Sequence, residues 1–181
     1  MEAEVDSIVP YKVRIADIKD NDYVNGKGFC VSLWTQGCPF RCKGCHNPET
    51  WDKFGGTEME YADVLDSILS KLETGKEYGI EKNFSILGGE PVSLDNLFFT
   101  YHIIKDVRER YPDIKIFMWT GYNLRDFYRF RENTIRDIMY RSILEWIDVL
   151  IDGHYDEKQR DTRLELRGSK NQRILYRGKD F

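Results

Sequence analysis

The chain has 181 residues, 41% hydrophobic and 32% charged, which excludes a disordered polymer and suits one soluble globular domain. At that length a core can be buried without disulfide staples. The net charge of −4 excludes an overall basic footprint for nucleic acid; the arginine-rich stretch from Arg125 to Arg141 is a local exception, read either as a solvated helix face or as a docking patch.

The opening "MEAEVDSIVPYKV" carries acids where a secretory signal needs a basic region and an apolar run. No apolar stretch approaches the ~20 residues of a membrane span. A cytoplasmic protein without membrane contact is expected, in a compartment where thiols stay reduced. "YKVRIADI" (11–18) alternates as an edge strand does, and "GFCVSLWT" (28–35) reads as a buried strand. "TEMEYADVLDSILSKLETG" (57–75) predicts a helix, with Thr57 and Glu60 at capping-box spacing and a stop at Gly75. "NFSILGGEP" (83–91) predicts a strand closing on two glycines. A helix should follow from Ser93, as its cap, to Pro112. "IKIFMWTGY" (114–122) predicts a strand, 124–145 a helix with a break near Asn133, "WIDVLIDGHY" (146–155) a strand, and "NQRILY" (171–176) a last strand. Strands alternating with helices imply βαβ units and a mainly parallel sheet. The cysteine-bearing loop, "GGEP", "WTGY" and "DGHY" each follow a strand, so all four should meet at the carboxyl rim, where parallel α/β folds carry their sites.

Three of the four cysteines, Cys38, Cys42 and Cys45, fall within "TQGCPFRCKGCHNPETWD" (35–52), spaced C-x3-C-x2-C. In a reducing compartment such clustering points to metal or redox chemistry. Structural zinc takes four protein ligands in a closed tetrahedron. His46 directly follows Cys45 and is badly placed to reach the same ion, His102 and His154 are distant, and no second C-x2-C knuckle exists. An iron–sulfur cubane normally takes four thiolates. Three thiolates leave one iron with an open position for a substrate or cofactor. Cys30, out of phase with the loop, reads as a small buried hydrophobe.

C-x3-C-x2-C closing a first strand resembles the signature of the radical S-adenosylmethionine (SAM) superfamily, and "GGEP" (88–91) is similar to its Gly-Gly-Glu motif. The wider set "TQGCPFRCKGCHNPETW", "GGEP", "WTGY", "IDVLIDG" and "RGSKNQRI" resembles the activating proteins of anaerobic (class III) ribonucleoside-triphosphate reductases, from about residue 28 to 177. The resemblance implies a small, open, partial (β/α) barrel of the radical SAM type, since a full barrel takes ~250 residues. It implies a [4Fe-4S] cluster on Cys38, Cys42 and Cys45, with SAM on the open iron. Gly88 and Gly89 would let the backbone approach SAM, and Glu90 would accept from its ammonium. The implied substrate is a glycine of the reductase large subunit, and the implied electron source is a low-potential donor such as flavodoxin or ferredoxin.

Other positions are implied less directly. Thr120 and Asp152 resemble a monovalent-cation site in the pyruvate formate-lyase activating branch, although Trp119 stands where that branch has an acid; Asp152 also reads as a turn residue. Asn171 and Arg173 belong to the "SKNQR" match, with Arg173 directed at the SAM carboxylate or a substrate carbonyl, or simply a strand-edge charge. Gly44 replaces the aromatic residue often found before the third cysteine, which leaves His46, Trp34 and Tyr122 as candidates to contact adenine. Two other readings remain open: a radical SAM enzyme acting on a small molecule, such as the 7-carboxy-7-deazaguanine synthases, and a non-enzymatic zinc-binding module.

Overall fold

A computed structural model describes residues 11–129 and 134–181. In chain order the elements are β1 (Lys12–Asp22), β2 (Phe29–Thr35), β3 (Thr57–Glu60), α1 (Tyr61–Glu73), β4 (Lys82–Gly88), α2 (Leu97–Arg110), β5 (Ile116–Trp119), α3 (Leu124–Phe127), α4 (Ile135–Trp146), β6 (Val149–Asp152) and β7 (Arg173–Tyr176). They form one open sheet of seven strands in the order β3-β1-β2-β4-β5-β6-β7. The middle strands β2, β4, β5 and β6 are parallel, whereas β1, β3 and β7 pair antiparallel. The expected parallel sheet is therefore the centre of a mixed one.

Period-two alternation explains how the sheet is dressed. Val31, Leu33, Phe84, Ile86, Ile116, Met118 and Leu150 point to one face and are fully buried. They pack with Val64, Ile68 and Leu72 of α1, Ile103, Ile104 and Val107 of α2, and Ile143 of α4. The apolar residues of α1 recur every three to four positions, which is the stripe a helix needs to lie on a sheet. The opposite face carries a smaller cluster of Phe117, Val149 and Ile151, partly covered by Trp119, Leu166 and Ile174. Helices thus cover one face, and loops cover the other.

Register then positions the site. Thr35 pairs with Gly88, Ile86 with Met118, and Trp119 with Ile151. The four parallel strands therefore end nearly level, and the four loops read from the sequence leave from one rim.

Several expected boundaries move. β1 is not the edge, because Thr57–Glu60 forms β3 against it, pairing Ile15 with Thr57 and Lys12 with Glu60. The residues read as a capping box are thus strand, and α1 starts at Tyr61 without a side-chain cap. Helix α2 starts at Leu97 rather than at Ser93; the Ser93 carbonyl accepts from Asn96 N–H (3.0 Å) and Leu97 N–H (2.8 Å) in the turn before it. The helix expected over 124–145 is two helices, α3 and α4, and the break foreseen near Asn133 lies outside the described residues.

Candidate metal and cofactor site

The cysteine loop is stitched down on both flanks. Gly37 N–H donates to the Thr50 carbonyl (2.8 Å) and Cys38 N–H to that of Trp51 (3.2 Å). The Gln36 amide donates to the carbonyls of Glu49 (3.0 Å) and Asp52 (2.6 Å), which closes the far end of the loop onto its start. Within it, Cys45 N–H donates to the Cys42 carbonyl at 3.1 Å, and Asn47 N–H reaches the Cys45 sulfur at 3.4 Å. Gly44 has φ +74°, and a Cβ there would lie 2.9 Å from Glu157 Oε1. Glycine before the third cysteine is thus explained by backbone conformation and by the β6–β7 loop packed against it.

The two glycines of "GGEP" are required for a different reason. Gly88 has φ +101°, and a Cβ on Gly89 would lie 2.4 Å from the Gly37 carbonyl oxygen. That approach lets Gly89 N–H donate to the Thr35 carbonyl and Glu90 N–H to that of Gly37, both at 2.8 Å. The Asn96 amide joins the same seam, donating to the carbonyls of Gln36 (2.9 Å) and Glu90 (3.0 Å). The "GGEP" turn and the cysteine loop are therefore one hydrogen-bonded unit.

Cys38, Cys42 and Cys45 line one cavity of about 150 Å3, with Gly88, Gly89 and Glu90 also on its wall. Trp119, Thr120 and Gly121 contribute from the end of β5, and Gly153, Tyr155 and Gln172 from the β6–β7 loop. The four post-strand loops do converge. Enclosed small-ligand sites typically measure ~300–1,000 Å3, so a cofactor of that size is not enclosed by this cavity alone. Burial pushes the Cys38 and Cys42 thiols up from the usual range. A metal arriving there must displace their protons.

Glu90 is buried, 1% exposed. Its Oε1 accepts from the Thr120 hydroxyl (2.7 Å) and Val92 N–H (3.1 Å), and its Oε2 accepts from Gly121 N–H (2.7 Å). Burial raises its carboxyl to about 7, against the lowering effect of those three bonds. Gly121 is fixed as glycine because a Cβ would meet the Phe40 ring at 2.5 Å. Phe40 is itself held between Tyr122 (4.8 Å between centroids) and His154 (4.0 Å).

Other candidates lie elsewhere. Asp152 is fully buried and accepts from Nε and Nη2 of Arg173, together with Leu124 N–H at 2.7 Å. Neither Asp152 nor Arg173 lines the cysteine cavity, and Thr120 faces Glu90 rather than Asp152, so the expected cation pair is not assembled. The cause is the β6–β7 pairing, which sets Asp152 directly opposite Arg173. Asn171 donates to the His154 carbonyl at 2.7 Å and ties the β6–β7 loop. His46 packs on Tyr155, 5.3 Å between ring centroids. Trp34 is buried in β2 under the Lys19 ammonium, and Tyr122 lies against Phe40. Cys30 is fully buried beside Gly26, away from the other thiols. His102 lies in α2 beside Tyr101 and Tyr61.

The donor set suits a polynuclear cluster. A single zinc needs four donors around one point, whereas the thiolates of a cubane each meet a different iron. Two residues that line the cavity, Trp51 and Tyr155, also carry a buried polar atom, the indole Nε1 and the hydroxyl, with no hydrogen-bond partner among the described residues. Sequence reading passed over Gln36, Asn96, Gly121 and Gln172. The signals were present, since Gln36 and Gln172 lie inside the quoted motifs, but amides in loops have no periodicity to mark them. Gln172 donates to the Gly153 carbonyl (3.0 Å) and accepts from Gly168 N–H (2.9 Å), which shapes the loop over the cavity.

Comparison with known proteins identifies the family. The family described as "4Fe-4S single cluster domain" matches residues 24–175. The anaerobic ribonucleoside-triphosphate reductase-activating protein of Vibrio cholerae is 36% identical over 157 residues, covering 86% of this chain and 92% of its own. The protein of the same name from Enterobacteria phage T4 is 32% identical, covering 84% and 87%. One solved structure, QueE from Escherichia coli, overlaps 61% of this chain and 52% of its own, with 20% identity and a TM-score of 0.40. This chain spans about half of that one, and the overlap adds nothing to the assignment. With a cluster-domain match over most of its length and relatives of one name matched nearly end to end, the chain belongs to the family of anaerobic ribonucleoside-triphosphate reductase-activating proteins.

Proposed function

We propose that this protein is a radical SAM enzyme that activates the large subunit of an anaerobic ribonucleoside-triphosphate reductase. The observation that carries the reading is the single cavity where Cys38, Cys42 and Cys45 face the "GGEP" turn and its buried Glu90. In this reading Cys38, Cys42 and Cys45 would hold a [4Fe-4S] cluster, which would supply the electron for reductive cleavage of SAM into methionine and a 5′-deoxyadenosyl group that would take a hydrogen atom from a glycine of the reductase.

The chain's own residues bind and orient. Gly88 and Gly89 would let backbone approach the cofactor, and Glu90 would offer its ammonium a charge-assisted acceptor. The charge of that cation offsets the burial that now raises the Glu90 carboxyl. Thr120 and Gly121 hold the carboxylate at its present position. Arg173 and Asp152 support the rim by pairing with each other.

The open sheet is read as a partial (β/α) barrel. A cavity too small to enclose its cofactor supports a protein substrate, since the partner would supply the missing wall and exclude water. That favours the activating function over a small-molecule enzyme, which needs a pocket sealed within one chain. The reading carries a cytoplasmic setting and a low-potential donor of the flavodoxin or ferredoxin type. Among the described residues no helix is long and apolar enough to cross a membrane.

Anaerobic reconstitution tests the proposal. One four-iron cluster per chain is expected. Serine at Cys38, Cys42 or Cys45 should abolish it, while Cys30→Ser should keep it. The reduced protein should then convert SAM to methionine and 5′-deoxyadenosine. Colourless protein holding zinc, or iron that depends on Cys30 as strongly as on Cys42, overturns the reading.

A further inference from the structure

The arginine-rich stretch from Arg125 to Arg141 takes no part in the cysteine cavity. It carries five arginines against three acids, in a chain whose net charge is −4. Two of those acids are spent on helix ends. The Asp126 carboxylate accepts from Asn123 N–H (2.9 Å) at the start of α3, and the buried Asp137 accepts from Thr134 N–H (2.9 Å) at the start of α4. The third, Glu132, lies outside the described residues. Arg125 and Arg129 are exposed, and among the described residues neither pairs with a carboxylate.

The stretch borders a second cavity, of about 340 Å3. Each of the four rim loops contributes a residue to it: Phe40 from the cysteine loop, Leu94 from the turn after "GGEP", Tyr122 and His154. Phe127 of α3 and Tyr140 of α4 line it as well, with Arg129 and Arg136. Leu94 is 70% exposed, and Tyr128, next to Arg129, is 50% exposed. A helix face built only to be solvated needs neither a hollow nor aromatic walls, whereas aromatic residues and arginine are the side chains that protein interfaces favour. Phe40 also lines the cysteine cavity, so the two cavities share that side chain.

We propose that this hollow and the arginines beside it are the docking surface for an acidic segment of the protein substrate, with an apolar side chain seated among the aromatic residues and carboxylates opposite Arg125 and Arg129. The proposal rests on the proposed function in one respect, that the substrate is a second chain. Position favours that chain: a partner closing the cysteine cavity must cross the rim, and the hollow lies on that rim across Phe40. Charge sets the sign, because exposed arginines without carboxylate partners steer and orient an acidic surface.

The test is the rate at which the reconstituted, full-length protein associates with the reductase large subunit, measured without oxygen. Arg125→Glu and Arg129→Glu are compared with Lys179→Glu. That control makes the same charge change at an exposed residue beyond the end of β7 that pairs with the start of β6, away from the rim. All three should bind iron, and cleave SAM without the subunit, as the parent does. Each arginine variant should associate roughly threefold to tenfold more slowly at low salt and give less glycyl radical at limiting subunit. Added salt should slow the parent toward the variants, and Lys179→Glu should match the parent. Arginine variants that associate at the parent's rate overturn the proposal. So do three variants slowed alike, which would reflect net charge alone. ATP that binds the isolated protein and loses affinity in Arg129→Glu would make the hollow a nucleotide site, and overturns it too. A parent that does not bind the subunit counts against the proposed function; a parent that binds it beside unaffected variants fails this inference alone.

Discussion

Glu90 is the residue where burial and charge conflict most directly. Its carboxyl is raised to about 7 by burial, while three hydrogen bonds pull it the other way. A carboxyl raised in the folded state favours folding most at low pH, and that contribution is lost as pH rises through the folded value. For Glu90 the window runs from about 4.5 to about 7, and the cost at higher pH is on the order of 3 kcal/mol. Glu90→Gln cannot titrate, so its thermal midpoint should vary less with pH across that window than the parent's. A bound ammonium would hold Glu90 ionised. SAM should therefore bind more tightly as pH rises through 7, with release of a proton, and Glu90→Gln should weaken binding. Loss of one partner of a buried charged pair costs ~2–5 kcal/mol, roughly thirtyfold to several thousandfold in affinity. Calorimetry on cluster-loaded protein checks both effects, and equal affinity in the variant would remove Glu90 from the site. The sequence made Glu90 legible because two glycines precede it. It did not disclose Thr120 and Gly121 as its partners, since they lie 30 and 31 residues away and meet it only through the β4–β5 pairing.

At the scale of elements, the decisive unit is the seam between the cysteine loop and the "GGEP" turn. Gly89→Ala would drive a methyl group into the Gly37 carbonyl, a backbone atom that cannot step aside. Overpacking of this kind costs ~1–3 kcal/mol. The variant should melt earlier and lose iron faster to a chelator. Gly79→Ala, at φ +73° with nothing within 4 Å of its Cβ, is the control: it should lower the melting temperature without changing iron retention. Iron release at the parent rate in Gly89→Ala would show that the seam does not hold the loop. The central strands were readable because Val31 and Leu33, like Phe84 and Ile86, flank a serine, the period-two alternation of strands packed chiefly on one face. The edges were less so. Thr57 and Glu60 have the spacing of a helix cap, yet β1 offers an unpaired flank and the segment joins it as β3. Local spacing cannot register a strand more than forty residues away. Likewise Asp152 and Arg173 looked available to a ligand, and only the antiparallel arrival of β7 reveals that they satisfy each other.

For the whole molecule, the consequence is an asymmetric sheet. Three longer helices cover one face, and the other is left to a small apolar cluster and to loops. The site lies at the carboxyl rim of the parallel strands, in a cavity of about 150 Å3 lined by their loops. Such a shape suits a reaction completed only when another chain closes over it. The central claim is that this closure delivers a glycine of the reductase to the cofactor. The direct measurement is to mix the reduced protein, SAM and the large subunit of an anaerobic ribonucleoside-triphosphate reductase without oxygen and record the electron paramagnetic resonance spectrum. A doublet split by the one remaining glycine α-hydrogen is expected; deuterated glycine in the subunit should collapse it and carry deuterium into 5′-deoxyadenosine. SAM cleavage with no radical on the subunit, or 5′-deoxyadenosine free of deuterium, would contradict the account.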